Sequence, residues 1–86
     1  IDDDRHVLDS MAAWLRDQGY RVDTAADRPA ALGIIGRKPL DIVLCDVRLR
    51  DADGFEILQH CRKSHPEISV IMLSGYGSVE MAMEAI

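Results

Sequence analysis

The chain has 86 residues, with fifteen acidic side chains, ten basic ones and a net charge of −5. Its 48% hydrophobic and 29% charged residues are typical of one small globular domain and argue against a disordered chain. The sequence has no basic run and no interleaved basic and aromatic residues, which argues against direct binding of nucleic acid. No apolar stretch approaches the roughly 20 residues that cross a bilayer, so no membrane partner is expected.

Two cysteines, Cys45 and Cys61, form no paired motif in the sequence. Both fall in predicted core positions, which favours reduced thiols over a disulfide or a zinc site. No signal peptide is visible and the chain lacks an initiator Met. We therefore expect a cytoplasmic protein, and a chain cut from a longer one. The three histidines are scattered over predicted helices and do not resemble a metal-binding pair.

The first third of the chain predicts a strand end, a helix and a strand. Ile1 has the position of the last residue of a truncated strand. A helix is expected from Asp4 or Arg5 to Gln18, because apolar side chains recur there at helical spacing. These residues are Leu8, Met11, Ala12 and Leu15. The alternating pattern from Tyr20 to Ala25 then predicts a half-buried strand.

The middle of the chain predicts helix, strand and helix. Asp27 can cap a second helix, which Gly36 and Pro39 would end. The apolar run from Asp41 to Cys45 predicts a central parallel strand that is covered on both faces. A third helix follows the Asp53-Gly54 turn. Its apolar positions are Phe55, Leu58 and Cys61, and it stops before Pro66.

The last part predicts a buried strand from Ser69 to Leu73, a loop from Ser74 to Gly77 and a final helix capped by Ser78. Strands and helices therefore alternate along the whole chain. This alternation predicts an α/β fold, a three-layer, doubly wound parallel sheet with helices on both faces. In such sheets, ligands bind beyond the carboxyl ends of the strands.

Polar side chains follow several predicted strands at the point where each strand ends. Asp2 and Asp3, Asp46, and Ser74 all have this position, so we expect them at one edge of the sheet. Carboxylates that converge there repel one another unless a proton or a cation lies between them. Hard cations with oxygen ligands, above all Mg²⁺, suit such a site. Taken alone, Asp2 and Asp3 would be an ordinary solvated loop or a helix cap.

The same constellation favours phosphoryl chemistry. Two carboxylates and a backbone carbonyl can hold Mg²⁺, and the cation lets an anionic phosphoryl group approach an anionic nucleophile. A carboxylate can be that nucleophile and form an aspartyl phosphate. The Ser74 hydroxyl could then donate a hydrogen bond to a phosphoryl oxygen.

These motifs, in this order and spacing, resemble the receiver domain of two-component response regulators over essentially the whole chain. The motifs are Asp2-Asp3, Asp46, Asp53-Gly54 and Ser74-Gly75. The segment from Met72 to Ala82 is most similar to receivers of sigma-54-dependent, nitrogen-regulator-type transcriptional activators. The resemblance implies the flavodoxin-like strand order 2-1-3-4-5.

The resemblance also implies roles for individual residues. Asp46 would accept a phosphoryl group from a phosphohistidine of a sensor histidine kinase. Asp3 would ligate Mg²⁺ directly, Asp2 would act through water or as a nearby base, and the backbone carbonyl of Arg48 would supply a further ligand. Ser74 would sense the phosphoryl group by moving toward it.

The implied output is a change in the surface of the helix that starts near Ser78, which would control an attached effector. Sigma-54 activator ATPase and DNA-binding domains are the effectors that the subfamily suggests, and a homodimer is left open. The domain would assist its own phosphorylation and dephosphorylation without being an enzyme in the usual sense.

The chain departs from the family pattern in three respects. It stops at Ile86, before the fifth strand with its Lys and before the fifth helix, and it lacks most of the first strand. Arg50 stands where a Pro is usual. We therefore expect residues 1–86 to be an incomplete receiver. The apolar edge from Val70 to Leu73 would make it marginal, dimerised by exchange or prone to aggregation.

Two other functions remain open at this point. The first is a receiver-shaped interaction module that is never phosphorylated, which the truncation and the presence of Arg50 favour. A phosphatase of the haloacid dehalogenase type would fit the Asp-x-Asp pattern of residues 2–4, but His6 stands where such enzymes have Thr or Val, and Asp46 would have no role.

Overall fold

The computed structural model describes residues 1–74, so the predicted loop beyond Ser74 and the helix from Ser78 lie outside the described residues. Three helices and two strands are present in residues 1–74. They are α1 (Arg5–Asp17), α2 (Arg28–Arg37), β1 (Ile42–Asp46), α3 (Gly54–Ser64) and β2 (Ser69–Leu73). The three predicted helices and the two apolar strands in this part of the chain are confirmed.

Each described helix begins after an aspartate that caps it. The carboxylate of Asp4 accepts hydrogen bonds from the backbone N–H groups of the first turn of α1, Asp27 does so for α2 and Asp53 for α3. Such caps satisfy backbone donors that have no partner within the helix, and they fix where each helix begins. The predicted cap at Asp27 is therefore confirmed, and Asp4 and Asp53 are two further caps.

The strands β1 and β2 pair in parallel, with Ile42 opposite Ser69 and Asp46 opposite Leu73. Helices cover both faces of this pair. On one face, Val7 and Met11 of α1 form a cluster with three strand residues, namely Leu44, Ile71 and Leu73. The larger cluster lies on the other face and joins α2 and α3 to the sheet through Ala31, Ile35, Val43, Cys45, Ile57 and Cys61. The predicted three-layer arrangement is confirmed.

The predicted strand from Tyr20 to Ala25 is not formed, since residues 20–25 have no regular secondary structure. One backbone hydrogen bond links this segment to the residues beside β1, from the Asp2 N–H to the Ala25 carbonyl at 3.2 Å. The residues of this chain that lie between the segment and β1 are Ile1 and Asp2. Two residues provide too few backbone partners for a ladder.

Ile1 itself has the position of a strand residue. Its amino group donates to the Leu44 carbonyl at 2.5 Å, and the Asp46 N–H donates to the Ile1 carbonyl at 2.9 Å. The spatial order is therefore residues 20–25, Ile1, β1 and β2. This order agrees with the predicted strand sequence 2-1-3-4. None of the helices in residues 1–74 is long and apolar enough to cross a membrane.

Candidate functional site

The carboxyl ends of the strands meet at one edge of the sheet. Asp46 is the last residue of β1, and its partner in the register is Leu73, the last residue of β2. Ser74 comes directly after Leu73 and is exposed. Ile1 lies beside β1, so that Asp2 and Asp3 follow at the same edge. The topology thus brings the predicted residues to one place.

Three carboxylates converge at this edge. One oxygen each of Asp2, Asp3 and Asp46 lies within 4.8 Å of the other two. Asp2 is buried, whereas Asp3 and Asp46 are half-buried. Ligand oxygens around an octahedral Mg²⁺ stand roughly 3 to 4 Å from each other, because each lies about 2.1 Å from the ion. The spacing and the all-oxygen donor set therefore fit a hard divalent cation.

The electrostatics of Asp2 are consistent with a cation site. Burial is the main factor that raises the pKa of Asp2 above 3.8, and the nearby charges of Asp46 and Asp3 raise it further. A hydrogen bond from the Asp4 N–H to Oδ1 of Asp2, at 2.8 Å, opposes this rise. The charge of the N-terminus also opposes it, but the net shift is upward, so further positive charge beside Asp2 would stabilise its ionised form.

The Asp46 side chain is oriented by the loop that follows it. The Arg48 N–H donates to Oδ1 of Asp46 at 3.2 Å, and the Val47 N–H donates to the Leu73 carbonyl at 2.8 Å. The Cys45 thiol, which is fully buried, contacts the Asp46 carbonyl oxygen at 3.3 Å. Both the main chain and one carboxylate oxygen of Asp46 are therefore fixed.

Arg48 stands opposite Asp53 in an isolated antiparallel bridge. Two backbone hydrogen bonds flank this pair, one from the Gly54 N–H to the Val47 carbonyl at 2.7 Å and one from the Leu49 N–H to the Ala52 carbonyl at 3.0 Å. Neither bond uses the Arg48 carbonyl oxygen. These two bonds therefore leave the Arg48 carbonyl oxygen open to its predicted role as a Mg²⁺ ligand.

Two contributions to the site were not predicted from the sequence. Asp4 does more than cap α1, because its own N–H holds Asp2 in place. Gly54 packs against the main chain of Asp46, and any Cβ atom there would overlap the Asp46 carbonyl oxygen. An aspartate before a helical pattern is a known cap signal and could have identified Asp4. The contact of Gly54 depends on tertiary structure.

With this geometry established, comparison with known proteins identifies the family. Residues 1–86, the whole chain, match the response regulator receiver domain. The chain belongs to this family. The receiver fold explains the parallel strands, the helices on both faces and the acidic edge, and the phosphatase alternative has no comparable support.

Individual relatives agree with the assignment. The transcriptional regulatory protein ZraR of Klebsiella oxytoca is 38% identical to the receiver over 86 residues, which are 100% of this chain and 19% of ZraR. The receiver thus spans about a fifth of that relative. The crystal structure of the NtrX receiver domain from Brucella abortus is 38% identical, with a TM-score of 0.77, and the match covers 98% of this chain and 72% of that one.

A third similar protein is a response regulator from Burkholderia pseudomallei, whose crystal structure contains a phosphorylated aspartic acid, a calcium ion and citrate. It is 25% identical to the receiver, with a TM-score of 0.81, over 98% of this chain and 49% of that one. The similarity to NtrX and ZraR confirms the predicted resemblance to receivers of nitrogen-regulator-type transcriptional activators.

Proposed function

We propose that this receiver is a phosphoacceptor, in which Asp46 takes a phosphoryl group from the phosphohistidine of a sensor histidine kinase. The observation that carries the proposal is the convergence of Asp2, Asp3 and Asp46 within 4.8 Å at the carboxyl edge of the sheet. Of the three, Asp46 terminates a strand and has its main chain fixed on both sides. The phosphorylated aspartic acid and calcium ion of the Burkholderia protein support the same chemistry.

Mg²⁺ is the proposed cofactor. Asp3, Asp46 and the backbone carbonyl of Arg48 would hold it, with Asp2 acting through water. When bound, the ion supplies positive charge that offsets both the carboxylates and an incoming phosphoryl group. The raised pKa of the buried Asp2 supports this assignment, since burial without a counter-charge disfavours its ionised form.

The residues of the chain prepare the transfer. The N–H of Arg48 engages Oδ1 of Asp46, which leaves Oδ2 as the oxygen that attacks phosphorus. As the new O–P bond forms, the P–N bond of the phosphohistidine breaks, and its electron pair stays on the imidazole nitrogen, which takes up a proton. The reaction needs no protein base, because the carboxylate is already the nucleophile.

The phosphoryl group would be sensed at Ser74. Leu73, the residue before it, accepts the hydrogen bond of Val47, so the end of β2 is joined to the loop that follows Asp46. A hydrogen bond from the Ser74 hydroxyl to a phosphoryl oxygen would displace the chain that follows and alter the surface of the helix predicted from Ser78.

The proposed output is control of an attached effector in a cytoplasmic regulator. Sigma-54 activator ATPase and DNA-binding domains are the proposed effectors, and the name of ZraR as a transcriptional regulatory protein supports transcriptional output. The receiver itself would bind no nucleic acid. It would act as a switch that assists its own phosphorylation and dephosphorylation, not as an enzyme.

The test is phosphorylation of the response regulator by a small phosphodonor with Mg²⁺, followed by intact mass measurement. We expect a mass gain of one phosphoryl group that requires Mg²⁺ and is absent in Asp46→Asn. Asp51→Asn is the matched control, because Asp51 is an exposed aspartate of the same loop. The proposal is wrong if no phosphoryl group is gained, or if Asp46→Asn gains it as the parent protein does.

A further inference from the structure

His60, His65 and Glu67, all of residue types that can ligate metal ions, lie near one another around the end of α3. His60 lies near the end of α3, His65 follows the helix as its cap, and Glu67 lies in the turn that leads to β2. The imidazole rings of His60 and His65 have centroids 5.7 Å apart and are tilted by 48°. Nδ1 of His65 is 3.7 Å from Oε1 of Glu67.

These distances are close to those of ligands that share one ion. Two ligand atoms at about 2.0–2.2 Å from a tetrahedral cation stand roughly 3.3–3.6 Å apart, and two imidazoles on such an ion have centroids roughly 5 Å apart. The pair formed by His65 and Glu67 thus has nearly this spacing already.

We propose that His60, His65 and Glu67 bind a divalent transition-metal ion that favours imidazole, with Zn²⁺ as the representative of the class. In residues 1–74, the three aspartates are the one set whose ligand atoms already lie within 4.8 Å of each other. Binding at the second site therefore includes a rotation of the His60 ring toward the ion. Both His60 and His65 are half-buried.

The surroundings determine which ion is accepted. The site lies at the carboxyl end of α3, where the helix dipole favours a cation. Arg62 and Lys63, both exposed, add positive charge nearby, and this charge opposes the binding of a cation. A hard ion such as Mg²⁺, held mainly by charge, would gain little there, whereas an ion with strong coordinate bonds to nitrogen overcomes the repulsion.

Binding would join the end of α3 to the segment that enters β2. The Ile68 N–H donates to the His65 carbonyl at 3.1 Å, and the Ser69 N–H donates to the Asp41 carbonyl at 2.9 Å, so this turn already connects α3 with the start of the sheet. The site lies at the amino end of β2, whereas Asp46 stands opposite its carboxyl end. The proposal is therefore independent of the phosphorylation chemistry.

The experiment is a calorimetric Zn²⁺ titration of the protein in excess Mg²⁺, added to compete for the proposed aspartate site, with imidazole resonances followed by NMR. The domain has three histidines, so His6→Ala is the matched control. We expect His60→Ala and His65→Asn each to weaken Zn²⁺ binding at least about tenfold, since even the outer partners of metal ligands contribute that much. Glu67→Gln should weaken it less, and His6→Ala should bind as the parent does.

Both variants should leave the domain folded, because Ala favours the helix at position 60 and the half-buried position 65 can hold the smaller, polar side chain of Asn. The resonances of His60 and His65 should shift with Zn²⁺, while those of His6 stay unchanged. Binding that is unaffected by either histidine substitution would overturn the proposal. Zn²⁺ binding that disappears only when Asp3 is replaced would overturn it as well, since the ion would then occupy the aspartate site.

Discussion

Gly54 packs directly on the main-chain carbonyl of Asp46, at a distance that leaves no room for a Cβ atom. The same residue starts α3 and donates its N–H to the Val47 carbonyl at 2.7 Å. The start of α3 and the proposed phosphoacceptor are therefore in direct contact. A change at Gly54 should affect the stability of the domain and the chemistry of Asp46 together.

Gly54→Ala should lower the free energy of unfolding by about 1–3 kcal/mol, because the added methyl group forces backbone apart in a packed region. It should also slow phosphoryl uptake at Asp46. Urea denaturation and phosphodonor assays on the same preparation measure the two effects.

Gly33→Ala is the matched control for this substitution. Gly33 lies inside α2, and a methyl group added to it would meet nothing within 4 Å, so alanine there should stabilise the helix by roughly 0.5–1 kcal/mol. Phosphoryl uptake should be unchanged in this variant. Equal effects of the two substitutions would contradict the role assigned to the contact between Gly54 and Asp46.

Asp2→Asn should raise the free energy of unfolding at neutral pH when no divalent cation is present. The pKa of Asp2 is raised in the folded state, mainly by burial, so the folded protein binds this proton more tightly than the unfolded chain does. The stability linked to Asp2 is thus fully present below the unfolded pKa, near 3.8, and is lost as pH rises through the folded pKa. Asparagine removes this loss and can still accept the hydrogen bond from Asp4.

With Mg²⁺ present, the parent protein should instead be more stable than Asp2→Asn, because ligand binding stabilises the folded state of the parent more than that of the variant. Thermal unfolding with and without Mg²⁺ measures both effects. Asp9→Asn, which replaces an exposed aspartate of α1, is the control and should respond to Mg²⁺ as the parent does. If Asp2→Asn gains as much stability from Mg²⁺ as the parent does, Asp2 is not part of the proposed site.

The acidic edge could be predicted from the sequence because Asp46 follows an apolar run and Asp2 and Asp3 follow the strand residue Ile1, and parallel strands place such residues together. The segment from Tyr20 to Ala25 was predicted wrongly because its alternation reports only which side chains are half-buried. A strand also needs backbone partners, and Ile1 and Asp2 supply too few. The contact between Gly54 and Asp46 joins two elements across the loop, so no local pattern reveals it.

Cys45 and Cys61 should react slowly with iodoacetamide in the folded protein and quickly in urea. Both thiols are buried, and burial raises the pKa of Cys45 from 9.0 to about 11 and also raises the pKa of Cys61. Since the thiolate is the reactive form, labelling at pH 8 should follow unfolding. The stability linked to Cys45 should be intact below pH 9 and be lost as pH rises toward about 11. Rapid labelling of either folded thiol at pH 8 would contradict the described core.

Asp4→Ala should destabilise the domain by about 1 kcal/mol, because the Asp4 carboxylate caps α1 by accepting hydrogen bonds from His6 and Val7. Asp4→Asn should restore most of this stability, since asparagine caps helices about as well. Neither change removes the backbone N–H that Asp4 donates to Asp2, so Mg²⁺ affinity should fall much less than in Asp3→Asn. Urea denaturation and Mg²⁺ titration of the three variants distinguish the cap from the ligands. If Asp4→Asn loses Mg²⁺ binding as completely as Asp3→Asn does, the Asp4 carboxylate belongs to the cation site and not only to the helix.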